Sequence, residues 1–269
     1  MTQEQQAQNK ILESLETKWM GKELYYYSQV TSTNVLAKAK IQEGGGNGLL
    51  VVAEEQSEGK GRRGRNWQSP KGEAVYMTLG LKPDFPPDKA SMLTLVMAYA
   101  VAQAITDVTE LSCQIKWPND IVVNKKKVCG ILTEMSAGKS NMYSVVIGVG
   151  INANQQSFPA ELTGLATSLA LETGCAVEKE MLIAKTLKYF EEAYGTFQKE
   201  QTLSFMQEQY NGLLANCNHE VVVLEPKGSY EGVAQGIDEN GELLVHKKDG
   251  ELVKVYAGEV SVRGIYGYV

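Results

Sequence analysis

The stretch "GKGRRGRNWQSP" (residues 59–70) decides the fold class of this sequence. Gly59, Gly61 and Gly64 carry the G-x-G-x-x-G spacing of a dinucleotide fingerprint. That fingerprint works only between a strand and a helix whose N-terminus meets the pyrophosphate. Before it, "LLVVAEEQ" (49–56) reads as a buried strand from its β-branched run. After it come Pro70, Gly72 and a second strand, "AVYMTLGL" (74–81), with no helix between. A phosphate there would lose the helix dipole and the free N–H groups, which argues against a Rossmann-type parallel sheet.

Working outward, "ELYYYSQV" (23–30) reads as a strand, and Thr or Ser of "TSTN" (31–34) caps a helix to about Gln42. Pro83, Pro86 and Pro87 mark a loop before a helix from Asp88 to about Thr109, with Leu93, Met97, Ala100, Ala104 and Val108 on one face. "CQIKWPND" (113–120) reads as a strand ending at a turn. Residues 121–135 read as a hairpin with its tip at Asn124–Lys127, and 141–152 as the next strand. A second amphipathic helix is predicted over about 178–199 and a shorter one near 203–213. Strands joined by hairpins predict an α+β fold with a mixed, largely antiparallel sheet and flanking helices. After about residue 216, short β-rich runs alternate with turns at Asn240-Gly241 and Asp249-Gly250, the pattern of a small barrel. The expected domains are therefore 1–215 and 216–269.

The 269-residue chain carries a net charge of −6, which makes it a poor general ligand for nucleic acid. Yet Lys60, Arg62, Arg63 and Arg65 crowd six positions, a local concentration that suits a small anion. Cys113, Cys129, Cys175 and Cys217 show no C-x-x-C spacing, and the two histidines, His219 and His246, fall in the β-rich tail. A zinc site and a histidine-based triad are disfavoured, and the cysteines read as reduced core thiols of a cytoplasmic protein. The polar N-terminus shows no signal peptide, and the apolar run Met92–Ile105 is too short to span a bilayer. "TEMSAGKS" (133–140) lacks the leading glycine of a P-loop and reads as a polar turn.

The chemistry left is one in which cations act on anionic substrates. A carboxylate attacking the α-phosphate of ATP needs no base, because it is ionised at neutral pH. Arginine, lysine and a divalent metal offset the charge that gathers on the phosphoryl oxygens. Trp67 offers a stacking face for adenine. A nucleic-acid patch built on Arg62, Arg63, Arg65 and Trp67, and a basic loop with no role, stay open at this point.

The pair "GKGRRGRNW" (59–67) and "KWPND" (116–120) resembles the biotin–protein ligases. Further matches are "STN" (32–34), Gln56, "GIL" (130–132), "GVGIN" (148–152) and "GEVSVR" (258–263). The resemblance implies a catalytic domain like that of class II aminoacyl-tRNA synthetases, followed by an SH3-like barrel. It implies that biotin and Mg2+-ATP give biotinyl-5′-AMP, and that biotin then passes to a lysine of a biotin carboxyl carrier protein. A lipoate or octanoate ligase is the alternative on a related fold. Ser32, Thr33, Asn34, Gln56, Lys60, Gly61, Arg62, Lys116 and Gly130 match the biotin side. Arg62, Arg65, Trp67, Lys116, Asn119, Asn152 and Arg263 match the adenylate side, with Arg62 and Lys116 at the reacting centre. The pattern leaves the Mg2+ ligands unknown, and a monomer or a homodimer is compatible with it. Lys60 stands where many relatives have arginine, and so loses the bidentate fork. Some twenty residues precede the first strand, too few for a DNA-binding domain, so repressor activity and DNA binding are not expected.

Overall fold

The computed structural model describes residues 2–138, 142–225, 228–257 and 261–264; the side chains of Ser261 and Arg263 lie outside that description. Seven strands form one sheet in the order β1-β2-β3-β7-β6-β5-β4. They are β1 (Leu24–Tyr27), β2 (Leu49–Ala53), β3 (Val75–Leu81), β4 (Gln114–Lys116), β5 (Asp120–Val123), β6 (Lys126–Ala137) and β7 (Tyr143–Ile151). Only the β1–β2 pair is parallel, so the sheet is mixed and largely antiparallel as its hairpins predict. Between β2 and β3 lies a single 3-10 turn, Arg62–Gly64, and no α-helix. The glycines therefore belong to a loop that spans two antiparallel neighbours.

Strand alternation splits the sheet into two faces. Leu50, Val52, Val75, Met77, Leu79, Val145, Ile147, Val149, Cys129 and Ile131 face the main core. Helices α3 (Leu93–Thr109) and α5 (Lys179–Glu200) cover that side and pack on each other. The residues between them, including Val51 and Val146, face α2 (Thr33–Gln42) through Ala37. By length and apolar character Pro87–Thr109 is long enough to cross a bilayer, contrary to the shorter run read from sequence. Ten side chains of α3 are buried inside the fold, which makes it a core helix.

Helix α1 (Gln3–Ser14) was not expected from the polar N-terminus. Its signal is a capping box: Thr2 accepts from Gln5 N–H while the Gln5 side chain accepts from Thr2 N–H. Ile11 is its one buried side chain. Helices α4 (Leu169–Thr173) and α6 (Gln207–Leu213) complete the set.

A second sheet of five strands has the order β11-β10-β9-β8-β12, all antiparallel. Its strands are β8 (Glu220–Glu225), β9 (Gly228–Ile237), β10 (Leu243–Lys247), β11 (Leu252–Val255) and β12 (Ser261–Gly264). Gly241 (φ 78°) and Gly250 (φ 92°) take left-handed conformations at the two hairpin turns marked in the sequence. The two sheets are joined at Trp117, 2% exposed, whose indole N–H donates to the Gly241 carbonyl at 3.1 Å. Trp117 is thus a core residue, not a ligand contact. The four thiols are free; Cys113 and Cys129 are buried, but Cys175 is exposed, so not all of them are core thiols.

Candidate active site

The site lies on the α2 face of the sheet, where β3, β7 and β6 meet. Register places Thr78 beside Gly148 and Gly148 beside Leu132. One row along, Tyr76, Gly150, Gly130, Asp120 and Lys116 stand side by side across five strands. Glycine at 130, 148 and 150 removes three side chains from this face and leaves a trough. A Cβ on Gly148 would lie 2.1 Å from Asn34 Oδ1, and one on Gly150 would lie 2.6 Å from Trp67 Nε1. "GVGIN" is therefore both a close-packed strand end and the floor of a site.

Polar groups converge on the trough from α2. Ser32 is the N-cap residue, but its side chain makes no capping hydrogen bond, so the capping role expected of it is absent. Thr33 donates its N–H and its hydroxyl toward Gln56 Oε1, at 2.9 and 3.0 Å. Asn34 donates to Glu134 Oε2 at 2.7 Å and to the Leu132 carbonyl at 3.2 Å. Burial alone would raise the Glu134 carboxyl, but the hydrogen bonds from Lys38 and Asn34 outweigh it and hold it below the ordinary range.

The 59–70 loop folds down onto the same trough. Gly61 N–H donates to the Arg65 carbonyl at 2.7 Å, and Trp67 N–H to the Gly59 carbonyl at 2.9 Å. Trp67 lies against Gly130 and Gly150, with Lys127 Nζ 5.2 Å from its ring centre. Its indole N–H is buried and makes no hydrogen bond. The cavity left among Ser32, Thr33, Asn34, Gln56, Trp67 and Gly130 is about 50 Å3. Ligand sites run to roughly 300–1,000 Å3, so the cavity as it stands, with the Trp67 ring among its walls, is too small for a ligand. Lys60, Gly61, Arg62 and Asn119 also line this cavity.

Arg62 is the loop cation that turns inward. Its Nη1 donates to Asn119 Oδ1 at 2.8 Å and its Nη2 to the Ala257 carbonyl at 3.1 Å. Burial lowers its pKa; Asp120 opposes that change, while Arg63 and Arg65 add to it. Arg63 and Arg65 remain exposed. Arg62 also borders a larger cleft of about 760 Å3, lined by Arg63, Pro118, Thr133, Tyr256 and Ala257 among others.

Lys116 is buried, 7% exposed, at the end of its strand and next to Asp120 in the ladder. It does not line the small cavity. Asn152 is also buried away from it. Its amide donates to the Thr167 carbonyl at 3.1 Å and its oxygen accepts from Gln155 at 3.2 Å, which ties the end of β7 to the following loop. Arg263 stands on β12 opposite Val222. Its side chain, and Gly258, Glu259 and Val260 of the same motif, lie outside the described residues.

Lys127 is the site residue that sequence reasoning missed. It lines the cavity and bonds Asp120 at 2.6 Å. The sequence places it in a hairpin tip over Asn124–Lys127; the tip is Asn124–Lys125, both at positive φ. A bulge between Ile121 and Val122 then shifts the register, so that Val122 meets Lys127 while Ile121 meets Cys129. The extra residue changes the alternation and turns Lys127 to the same face as Gly130. Thr78 and Glu134 were missed as well, and their only sequence signal is a polar residue at a site-facing parity.

The comparisons with known proteins come to the same place. Residues 25–152 match the model of the biotin/lipoate A/B protein ligase family, and residues 217–263 match that of the biotin protein ligase C terminal domain. The chain is 37% identical over 261 residues to the bifunctional ligase/repressor BirA of Bacillus subtilis, covering 95% of this chain and 79% of that protein. It is 30% identical to the biotin–[acetyl-CoA-carboxylase] ligase of Paracoccus denitrificans, covering 88% of this chain and 99% of the other. The structure of the Aquifex aeolicus biotin protein ligase in complex with biotin and ATP superposes with a TM-score of 0.80 at 29% identity, over 90% of this chain and 99% of that one.

Proposed function

The chain belongs to the biotin/lipoate A/B protein ligase family, and from that premise we propose how its residues divide the work of a biotin–protein ligase. It is an enzyme that takes biotin and ATP; the lipoate alternative is not favoured. The observation that supports the division is the meeting of two unlike groups on one glycine floor. Neutral hydroxyls and amides (Ser32, Thr33, Asn34, Gln56) and cations (Lys60, Arg62, Lys127) line the same cavity. A ureido ring carries N–H donors and a carbonyl acceptor, which the first set complements. A carboxylate and a phosphate are both anions, which the second set holds together.

In the first step a carboxylate oxygen of biotin forms a bond to the α-phosphorus, the bond from that phosphorus to the bridging oxygen breaks, and pyrophosphate leaves with the electron pair. Arg62 and Lys127 offset the charge where the two anions meet. Asn119 fixes the Arg62 fork, and Asp120 fixes Lys127. Lys116 adds a buried cation on the same row. Arg65, Asn152 and Arg263 are assigned to the nucleotide, with Trp67 leaving the trough to cover it. In the second step the neutral amine of a carrier lysine attacks the acyl carbon, the bond from that carbon to the AMP oxygen breaks, AMP departs with the electron pair, and the amide nitrogen gives up one proton to solvent. The larger cleft gives a second substrate access to Arg62.

Among the described residues, no three His, Cys, Asp or Glu side chains group to hold a metal. Magnesium normally keeps its waters and substrate phosphates with one or two carboxylates. Held on the ATP phosphates beside Asp120, it would supply further charge compensation. A biotin carboxyl carrier protein as acceptor, a catalytic unit over 1–215 with the barrel over 216–269, and a cytoplasmic setting complete the reading. The test is ATP–pyrophosphate exchange with biotin, lipoate and octanoate in parallel. Exchange with biotin alone is the expected result, and exchange with lipoate or octanoate but not biotin would overturn the reading.

A further inference from the structure

Along the hydroxyls and amides of the pocket runs a row of four oxygens whose protons can be counted. Thr33 Oγ1 lies 3.0 Å from Gln56 Oε1 and 2.8 Å from Thr78 Oγ1, and Thr78 Oγ1 lies 2.7 Å from Asn34 Oδ1. The amides at both ends have fixed orientations. The Asn34 NH2 group faces acceptors only, the Glu134 carboxylate and the Leu132 carbonyl, so its oxygen faces Thr78. Lys38 holds the other Glu134 oxygen at 2.6 Å. At the far end the Thr33 backbone N–H donates to Gln56 Oε1. Gln56 therefore turns its NH2 to Ser69 Oγ at 3.0 Å, and the Ser69 hydroxyl donates to the Trp67 carbonyl. Three oxygen–oxygen contacts remain, and the two threonine hydroxyls bring one proton each. One contact is left without a proton.

We propose that Glu134, acting through Asn34 and Thr78, keeps this row one proton short, so that the pocket selects a ligand presenting an N–H donor to it. The proposal rests on the biotin-ligase reading, in which the donor is a ureido N–H. Thr33, Asn34 and Gln56 border the cavity, so a ligand reaches the row, while Thr78 is fully buried beneath it. Glu134 matters because of the alternative it blocks. If Asn34 turned over, its NH2 would donate to Thr78, Thr78 to Thr33 and Thr33 to Gln56. Every contact would then hold a proton, and the row would no longer want a donor. An acceptor-only carboxylate opposite the Asn34 NH2 forbids that turn. Glu134 and Thr78 are thus positioning residues that set polarity without touching the ligand.

The test uses Glu134→Gln, which keeps the volume but can present either an acceptor or a donor. Binding of biotin and of its cyclic carbamate analogues, in which one ureido N–H is replaced by oxygen, is measured by calorimetry on the full chain. The wild type should prefer biotin over the matching carbamate by about 100-fold, as buried groups left unpaired are costly. In E134Q that preference should fall below about tenfold, and E134D, which keeps a carboxylate, should retain it. A purely structural role would weaken both ligands equally; an unchanged ratio in E134Q overturns the proposal. No biotin binding by the wild type would instead overturn the ligase reading on which it rests.

Discussion

Replacing Gly148 by alanine puts the glycine floor to its most direct test. The added Cβ would sit 2.1 Å from Asn34 Oδ1, 2.9 Å from its Cγ and 3.1 Å from its Nδ2, where ordinary contact begins at 3.4 Å. Asn34 must give way, and three hydrogen bonds resist: to Glu134 at 2.7 Å, to Leu132 at 3.2 Å and from Thr78 at 2.7 Å. Counting roughly 1 kcal/mol for each neutral bond and about 1.5–3 for the one to the carboxylate gives a cost of about 3.5–5 kcal/mol. A chain of this size tolerates that but melts about 10 °C lower. The displaced amide also enters the cavity that Asn34 lines, so biotin affinity is expected to fall by about 100-fold or more. Scanning calorimetry and biotin titration of Gly148→Ala, Asn34→Ala and the double variant separate the causes. In the Asn34→Ala background the three atoms nearest to the extra methyl are gone, so Gly148→Ala should then lower the melting temperature by no more than a degree or two. Equal losses in both backgrounds would refute the argument that this glycine exists to admit Asn34.

Three further outcomes are expected. Ser32→Ala should leave thermal stability within about 0.5 kcal/mol, because its hydroxyl caps nothing, yet weaken biotin binding several-fold by titration; a loss of about 1 kcal/mol or more in stability would restore the capping role. Lys127→Ala and Arg62→Ala should each cut biotin-dependent ATP–pyrophosphate exchange by about tenfold or more, and wild-type exchange in either would remove that cation from the reaction. Glu134 has a lowered pKa, so the bond it gives Asn34 is complete above the ordinary carboxylate pKa, roughly 4.3, and is lost as pH falls through its lower folded value. Biotin affinity should therefore stay flat down through the ordinary carboxylate range and fall only below it, a fall that E134Q removes.

The sheet was legible because hairpin signals and a strand following Pro70 left little room for a parallel fold. The basic loop stood out because four cations crowd six positions, whereas "KWPND" took its meaning from the resemblance to the biotin–protein ligases. What escaped the sequence depends on geometry beyond one strand. Lys127 faces the site only because one extra residue in β6 shifts its parity, and three successive lysines look like a solvated tip. Thr78 is an ordinary strand threonine until Thr33 and Asn34 arrive beside it from a helix 45 and 44 residues away. Helix α1 hid behind polar composition, although its capping box was present in Thr2 and Gln5.

The Trp117–Gly241 bond also bears on how this chain can be divided. The residue after Lys116 sends its indole N–H into the turn of a hairpin more than a hundred positions further on. A chain ended near residue 215 would leave that donor, and the large ring that carries it, facing water on a surface built for contact. The strand that carries Lys116 would lose one side of its support. The C-terminal sheet is thus less a detachable module than a partner of the segment that follows Lys116. Exchange between relatives at this junction should succeed only where the turn and the tryptophan travel together.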